Sequence, residues 1–192
     1  MVSRETLITT YFPQKQEEIL AYAQLLSTSG IERGLIGPRE GEIIWERHIF
    51  NSLSVISLIP EGASVIDVGS GAGLPGIPLA LARPDITMTL IEPLQRRVDF
   101  LLEAVAGTTI TVFRGRAQDY KKQGDIVTAR AVASMEKLKG MSWHLVKKGG
   151  YLLAIKGESA AAELNSLPGS ELHEIQLPDL PLGRVIRVQK RA

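Results

Sequence analysis

Residues 65–85 read VIDVGSGAGLPGIPLALARPD, and this stretch decides the fold. An apolar run, Val65-Ile66-Asp67-Val68, opens into three alternate glycines, Gly69, Gly71 and Gly73, and a short helix is expected from about Pro75. Glycines between a strand and a helix let the backbone reverse sharply and let a ligand lie against it without a Cβ in the way. Pro75 and Pro78 suit a first helical turn, where amide hydrogens lack partners anyway.

Outward from this loop, short apolar runs alternate with helix-like stretches. The runs are SVIDVGS (64–70), TMTLIEP (87–93), TITVFRG (109–115), DIVTARAV (125–132) and GGYLLAIKG (149–157). Such alternation predicts an α/β fold with a mostly parallel sheet, Rossmann-like in its glycine turn. Two more runs, ELHEIQL (171–177) and GRVIRVQKR (183–191), flank the turn-rich LPDLPLG. They predict a closing hairpin, hence seven strands with one antiparallel edge. Before Ser64, Ile19, Ala23 and Leu26, then Trp45, Ile49, Leu53 and Ile56, recur at helical spacing. Residues 1–60 are therefore expected to form a helical cap on a core of residues 61–192, the whole chain making one domain. The intervening STSGIERGLIGPREG (27–41) carries turn residues and is expected to be an exposed loop.

Composition narrows the chemistry. The 192 residues are 44% hydrophobic and 22% charged, ordinary globular usage. With no cysteine, disulfides, iron–sulfur clusters, thiolate zinc sites and cysteine nucleophiles are excluded. His48, His144 and His173 lack metal-ligand spacing, so no metal is expected. No window reaches the ~18 apolar residues of a membrane span, and MVSRETLITTYFPQKQEE is no signal peptide, so a cytoplasmic protein is expected. The net charge of +1 confines any nucleic-acid contact to a local patch.

The loop spacing is D-x-G-x-G-x-G, not the G-x-G-x-x-G of dinucleotide sites. Asp67 stands two residues before Gly69, where a carboxylate suits an amino group or a sulfonium better than phosphates. Glu92 ends the second strand 19 residues past Gly73, where an acid accepts hydrogen bonds from ribose hydroxyls and repels a 2′-phosphate. Together these residues favour S-adenosylmethionine over NAD, and more strongly over NADP. The alternative is a turn that only packs helix on strand, with Glu92 a solvated strand end.

Ligands in open α/β sheets lie beyond the carboxyl ends of the strands. Arg130, near the end of the fourth, is a candidate for the cofactor carboxylate or a substrate oxygen, or else for a structural salt bridge. Ala117 and Gln118 follow the third strand, where an amide and backbone groups can bracket an adenine. Lys156, at the end of the fifth, is either a phosphate contact or a solvated lysine. Arg47 and Asn51, and His48 and Ser52, are four apart and share the polar side of a helix that could close over the cofactor. A lone histidine such as His48 is more often a structural hydrogen-bonder than a catalyst.

RHIFNSLSV, VIDVGSGAGLPGIPLALARPD, LIEPLQRRVDFL, RGRAQDY, TARAVASM and LLAIKG resemble the bacterial 16S rRNA guanine-N7 methyltransferase G family, formerly called glucose-inhibited division protein B. The resemblance runs from about Arg47 to Gly157, and the GLPGIPLA-x-x-RP-D segment is its most specific part. It implies methyl transfer to N7 of one guanine in small-subunit rRNA, with Gly69, Leu74, Ala117, Gln118 and Arg130 contacting the cofactor. The chain departs from the family in two places: RGLIGPRE stands where an Asn-Leu-Thr segment is common, and Asn51 where aspartate is frequent.

Guanine N7 carries an available lone pair and needs no general base. Positioning and water exclusion then do most of the work, which can supply ~7–11 kcal/mol. The chain has no N/D-P-P-Y after the fourth strand, as exocyclic amine methylation would suggest, and no cysteine for attack on a pyrimidine. The resemblance implies 16S rRNA, in assembled or partly assembled subunits, as the substrate, and Arg47, Arg96, Arg97, Arg114 and Arg116 lean the same way, against a small molecule. The rival readings are a small-molecule methyltransferase with a helical lid, a non-catalytic ribosome-binding module, and a nicotinamide oxidoreductase.

Overall fold

The β-branched runs become seven strands: β1 (Ser64–Val68), β2 (Thr87–Glu92), β3 (Thr111–Arg114), β4 (Gly124–Arg130), β5 (Val146–Lys156), β6 (Ser170–Ile175) and β7 (Gly183–Gln189). The computed structural model describes residues 2–130, 133–157, 160–164 and 167–191. The last two residues of the expected fourth strand, Ala131 and Val132, lie outside the described residues. The sheet order is β3-β2-β1-β4-β5-β7-β6. β1 to β5 run parallel, and β7 enters antiparallel between β5 and β6, so the expected hairpin supplies the antiparallel edge.

Strand pleating sends alternate residues to opposite faces. Val65, Leu90, Ile126, Leu153 and Val185 join one core, while Ile66, Ile91, Val127, Leu152 and Ile186 join the other. Helices α4 (Gly76–Ala82) and α5 (Gln95–Ala104) cover the first face, and α6 (Met135–Ser142) covers the second. A final short helix, α7 (Ala160–Leu164), lies between β5 and β6 in the chain.

The front of the chain forms α1 (Arg4–Tyr11), α2 (Gln16–Ser27) and α3 (Ser29–Glu32). Ile19, Ala23 and Leu26 are buried as their spacing predicts, in the core that holds Ile77 and Leu90. Trp45, Ile49 and Leu53 are buried too, but the backbone there is a π turn (Trp45–Phe50) followed by a 3-10 helix (Leu53–Leu58) rather than a continuous α-helix. Carbonyls in this turn are claimed from the side: Ser52 Oγ donates to His48 O at 2.6 Å, and Arg130 Nη1 to the same oxygen at 3.2 Å.

Residues 27–41 are not the exposed loop expected. They contain α3 and the start of a 3-10 turn (Pro38–Ile43), and Leu35 and Ile36 pack half-buried against the core. Among the described residues, no helix is long and apolar enough to cross a membrane.

Candidate cofactor and active site

The glycine turn adopts the backbone its residues permit. Gly69, Gly71 and Gly73 all have positive φ, at +67°, +61° and +94°. The amides of Gly69 and Ser70 donate to Ile91 O at 2.9 and 3.1 Å, hooking the turn onto β2. Gly73 is not at the ligand surface: an added Cβ would collide with Ile77, so this glycine seats the turn on α4. Gly76, which the sequence reading passed over, is equally confined, since a Cβ would strike Leu90 and approach Asp67 Oδ2 to 2.8 Å.

The two acids fare differently. Glu92 is buried yet lines the cleft; its Oε2 accepts from the Gly71 amide and its Oε1 from the Leu94 amide, both at 3.0 Å. The Arg97 guanidinium lies 3.7 Å from Oε2. Asp67 is fully buried beneath the turn and does not line the cleft. Its Oδ2 accepts from Ser70 Oγ at 2.5 Å and the Gly76 amide at 3.1 Å, while Oδ1 has no partner among the described residues. Burial pushes this carboxyl up to about 6, against the pull of those two donors. The expectation that Asp67 faces a cationic ligand is thus corrected, because the turn closes Ser70 and Gly76 over it.

Above the turn opens a cleft of about 730 Å³. Gly69, Gly71 and Leu74 form its floor, Glu92 and Arg97 one side, and Leu35, Glu40, Arg47 and His48 the front wall. Its size falls within the ~300–1,000 Å³ of small-molecule sites. Bare glycine backbone beside a buried carboxylate fits the sugar and methionine portions of S-adenosylmethionine. A second cleft, about 1,090 Å³, shares Arg47 and Arg130 with the first and is lined further by Asn51, Ser134 and Lys156.

Arg130 therefore stands between the two clefts. Its Nη2 is 2.5 Å from His48 Nδ1, and Nη1 donates to the carbonyls of His48 and Arg47 at 3.2 and 3.4 Å. The other ring nitrogen of His48 lies 2.5 Å from Glu40 Oε2, and Glu40 Oε1 lies 3.2 Å from Arg47. Burial lowers the His48 pKa, with Arg130 adding to the effect and Glu40 opposing it. Of the expected pairs, Arg47 and Asn51 share the second cleft, but Ser52 is fully buried under His48 and faces no ligand.

Two expected cofactor contacts fall elsewhere. Ala117 is buried in the far core and Gln118 is exposed beyond β3; neither lines the cleft. Lys156 is not solvated: Nζ donates to Ala133 O at 2.9 Å and pairs with Glu163 at 2.7 Å.

Residues 15–177 match the family model described as rRNA small subunit methyltransferase G. The chain belongs to this family. It is 53% identical over 150 residues to the ribosomal RNA small subunit methyltransferase G of Mycobacterium sp. (strain JLS), covering 74% of this chain and 67% of that one. To the protein of the same name from Thermobifida fusca (strain YX) it is 52% identical over 172 residues, covering 87% and 71%. The fold resembles a methyltransferase from Pyrococcus furiosus, with a TM-score of 0.62 and 12% identity over 94% of this chain and all of that one. It also resembles a Methanococcus maripaludis protein described as an S-adenosyl-L-methionine-dependent methyltransferase, with a TM-score of 0.58 and 15% identity over 88% and 92%. As a family member on this fold, the chain is a methyltransferase that uses S-adenosylmethionine.

The site residues that sequence reasoning missed belong mainly to the front wall. Leu35, Ile36, Gly37 and Glu40 fall in a segment whose glycines and proline signal only a turn. Tyr22, whose hydroxyl donates to Ala72 O at 2.8 Å, lies in an apolar helix face indistinguishable from plain core. Gly76 carries a legible signal, a fourth glycine where helix meets strand.

Proposed function

We propose that the chain methylates N7 of a guanine in 16S rRNA. The observation that carries this is the state of His48, the only histidine lining either described cleft: both ring nitrogens are engaged, by Arg130 and Glu40. Such a site suits a nucleophile that arrives with its own lone pair. Bound S-adenosylmethionine supplies a methyl group on a cationic sulfur. Guanine N7 takes that methyl as the carbon–sulfur bonding pair returns to sulfur; no proton leaves, and the ring gains a positive charge.

The chain's own residues bind and orient. Glu92 accepts from ribose hydroxyls, while Gly69, Gly71 and Leu74 give the cofactor a close backbone surface. Arg130 holds the cofactor carboxylate or the guanine oxygen, with Arg47 beside it. Asp67 and Gly73 act from beneath, by fixing the shape of the turn. Arg96, Arg97, Arg114 and Arg116 stand near the carboxyl ends of β2 and β3 and meet phosphates of the small subunit.

The substrate is an assembled or partly assembled subunit in the cytoplasm, the whole chain works as one domain, and neither metal nor membrane takes part. Subunits from a strain lacking the enzyme should accept labelled methyl, and borohydride followed by aniline should cleave the product RNA at the modified nucleotide. Methylated RNA that resists this cleavage rules out N7. Equal rates on naked RNA and on subunits would remove the subunit requirement.

A further inference from the structure

We propose that Glu40 and His48 are positioning residues for methyl transfer: through a hydrogen-bond chain with one proton arrangement, they aim the guanidinium of Arg130. This rests on the assignment of Arg130 to the reacting partners. An arginine can only donate, so His48 Nδ1, 2.5 Å from Nη2, must accept. The neutral ring then carries its proton on Nε2, where Glu40 Oε2 receives it at 2.5 Å. Arg130 is thereby fixed through both amino groups, since Nη1 also donates to the His48 carbonyl. Ser52 Oγ anchors that same carbonyl from behind.

Each link is held by a different part of the chain. Glu40 comes from the 3-10 turn Pro38–Ile43, His48 from the π turn, and Arg130 from the end of β4. The guanidinium thus takes its direction only when the front wall is seated against the sheet. The charged groups facing the ring are Arg130 and Glu40, with Arg47 on its own turn; Asp67 and Tyr22 act on Arg130. A second proton on His48 would place an N–H on Nδ1 against the N–H groups of Arg130, and this contact would be lost. Transfer should therefore weaken on the acid side, below the ordinary histidine value of 6.5.

Two substitutions separate the links, because an asparagine oxygen stands near the place of Nδ1 and a glutamine nitrogen near that of Nε2. His48→Asn keeps an acceptor for Arg130, and His48→Gln keeps a donor for Glu40. On small subunits lacking the modification, His48→Gln should lower kcat roughly 10- to 100-fold with KM little changed, the scale of a misplaced group. His48→Asn should fall several-fold less and should lose the acid limb that the unsubstituted enzyme shows. Urea midpoints for both variants check that each is folded. Equal losses in the two variants, or an acid limb that persists in His48→Asn, would overturn the relay. If Arg130→Ala leaves kcat unchanged, the assignment of Arg130 fails, and the relay with it; if Arg130 is essential and the two His48 variants are indistinguishable, only the relay fails.

Discussion

The floor and the front wall of the cleft are built on opposite plans. The floor, residues 67–76, is fixed by backbone: positive-φ glycines, amides hooked to Ile91 O, and glycines pressed against Leu90 and Ile77. The wall, residues 33–48, is fixed by side chains reaching between segments: Glu40 to His48, His48 to Arg130, and Arg33 to Glu103. A floor of backbone gives a cofactor an unchanging surface. A wall of side chains gives a charge whose direction depends on protonation and on neighbours.

The contrast is broken most forcefully at Gly76. Gly76→Val should destabilise the protein by about 3 kcal/mol, because there is no room for a Cβ between Leu90 and Asp67. Urea denaturation measures this, and an unchanged midpoint would mean the floor yields more readily than its packing indicates.

Asp67 comes next. Its folded value of about 6 exceeds the ordinary 3.8, so the folded protein holds this proton more tightly than the unfolded chain. This contribution is therefore present at low pH, falls away as pH rises from about 4 to about 6, and is level above that, a change of about 2–3 kcal/mol. Asp67→Asn should lack that slope. Parallel stability profiles for the two proteins would show that the carboxyl is not desolvated under the turn.

Glu92→Ala should weaken S-adenosylmethionine binding by about 2 kcal/mol through lost charged hydrogen bonds, read by calorimetry. Undiminished affinity would leave the carboxylate as only a brace for the Gly71 amide.

The smallest effect is expected in the wall. The Arg33–Glu103 pair is 2.6 Å apart but both side chains are more than a third exposed, so Arg33→Ala should cost below about 1 kcal/mol. A larger loss in thermal or urea stability would mean that the wall depends on this surface pair as well as on His48.

The same contrast explains what was legible beforehand. Strand runs and the glycine turn are local patterns, so β1 to β7 and the loop could be placed from spacing alone. Periodicity also found the buried faces at Ile19 and Trp45, though not the π turn, whose His48 carbonyl also accepts from Arg130 and Ser52. Two acids at the ends of β1 and β2 look equivalent in the sequence; only the path of the turn decides that Glu92 lines the cleft and Asp67 lies beneath it. Glu40 gave no signal because its partner comes from another segment, and of the two readings of Lys156 the solvated one fails because Glu163 reaches it from α7.

One closure carries a consequence for how the molecule comes into being. Tyr11 Oη donates to Pro178 O at 2.7 Å across 167 residues, and Gly183 lies so close against Ser54 that a Cβ there would collide. The helices ahead of the sheet thus wait for residues 178–183 before their packing is complete. Until then β5 presents the open edge that β7 later covers, and the nascent chain carries an unpaired strand prone to wrong partners. A chain released before residue 178 would contain every residue of the glycine turn and still lack both the clasp on its front helices and the strand that shields its sheet.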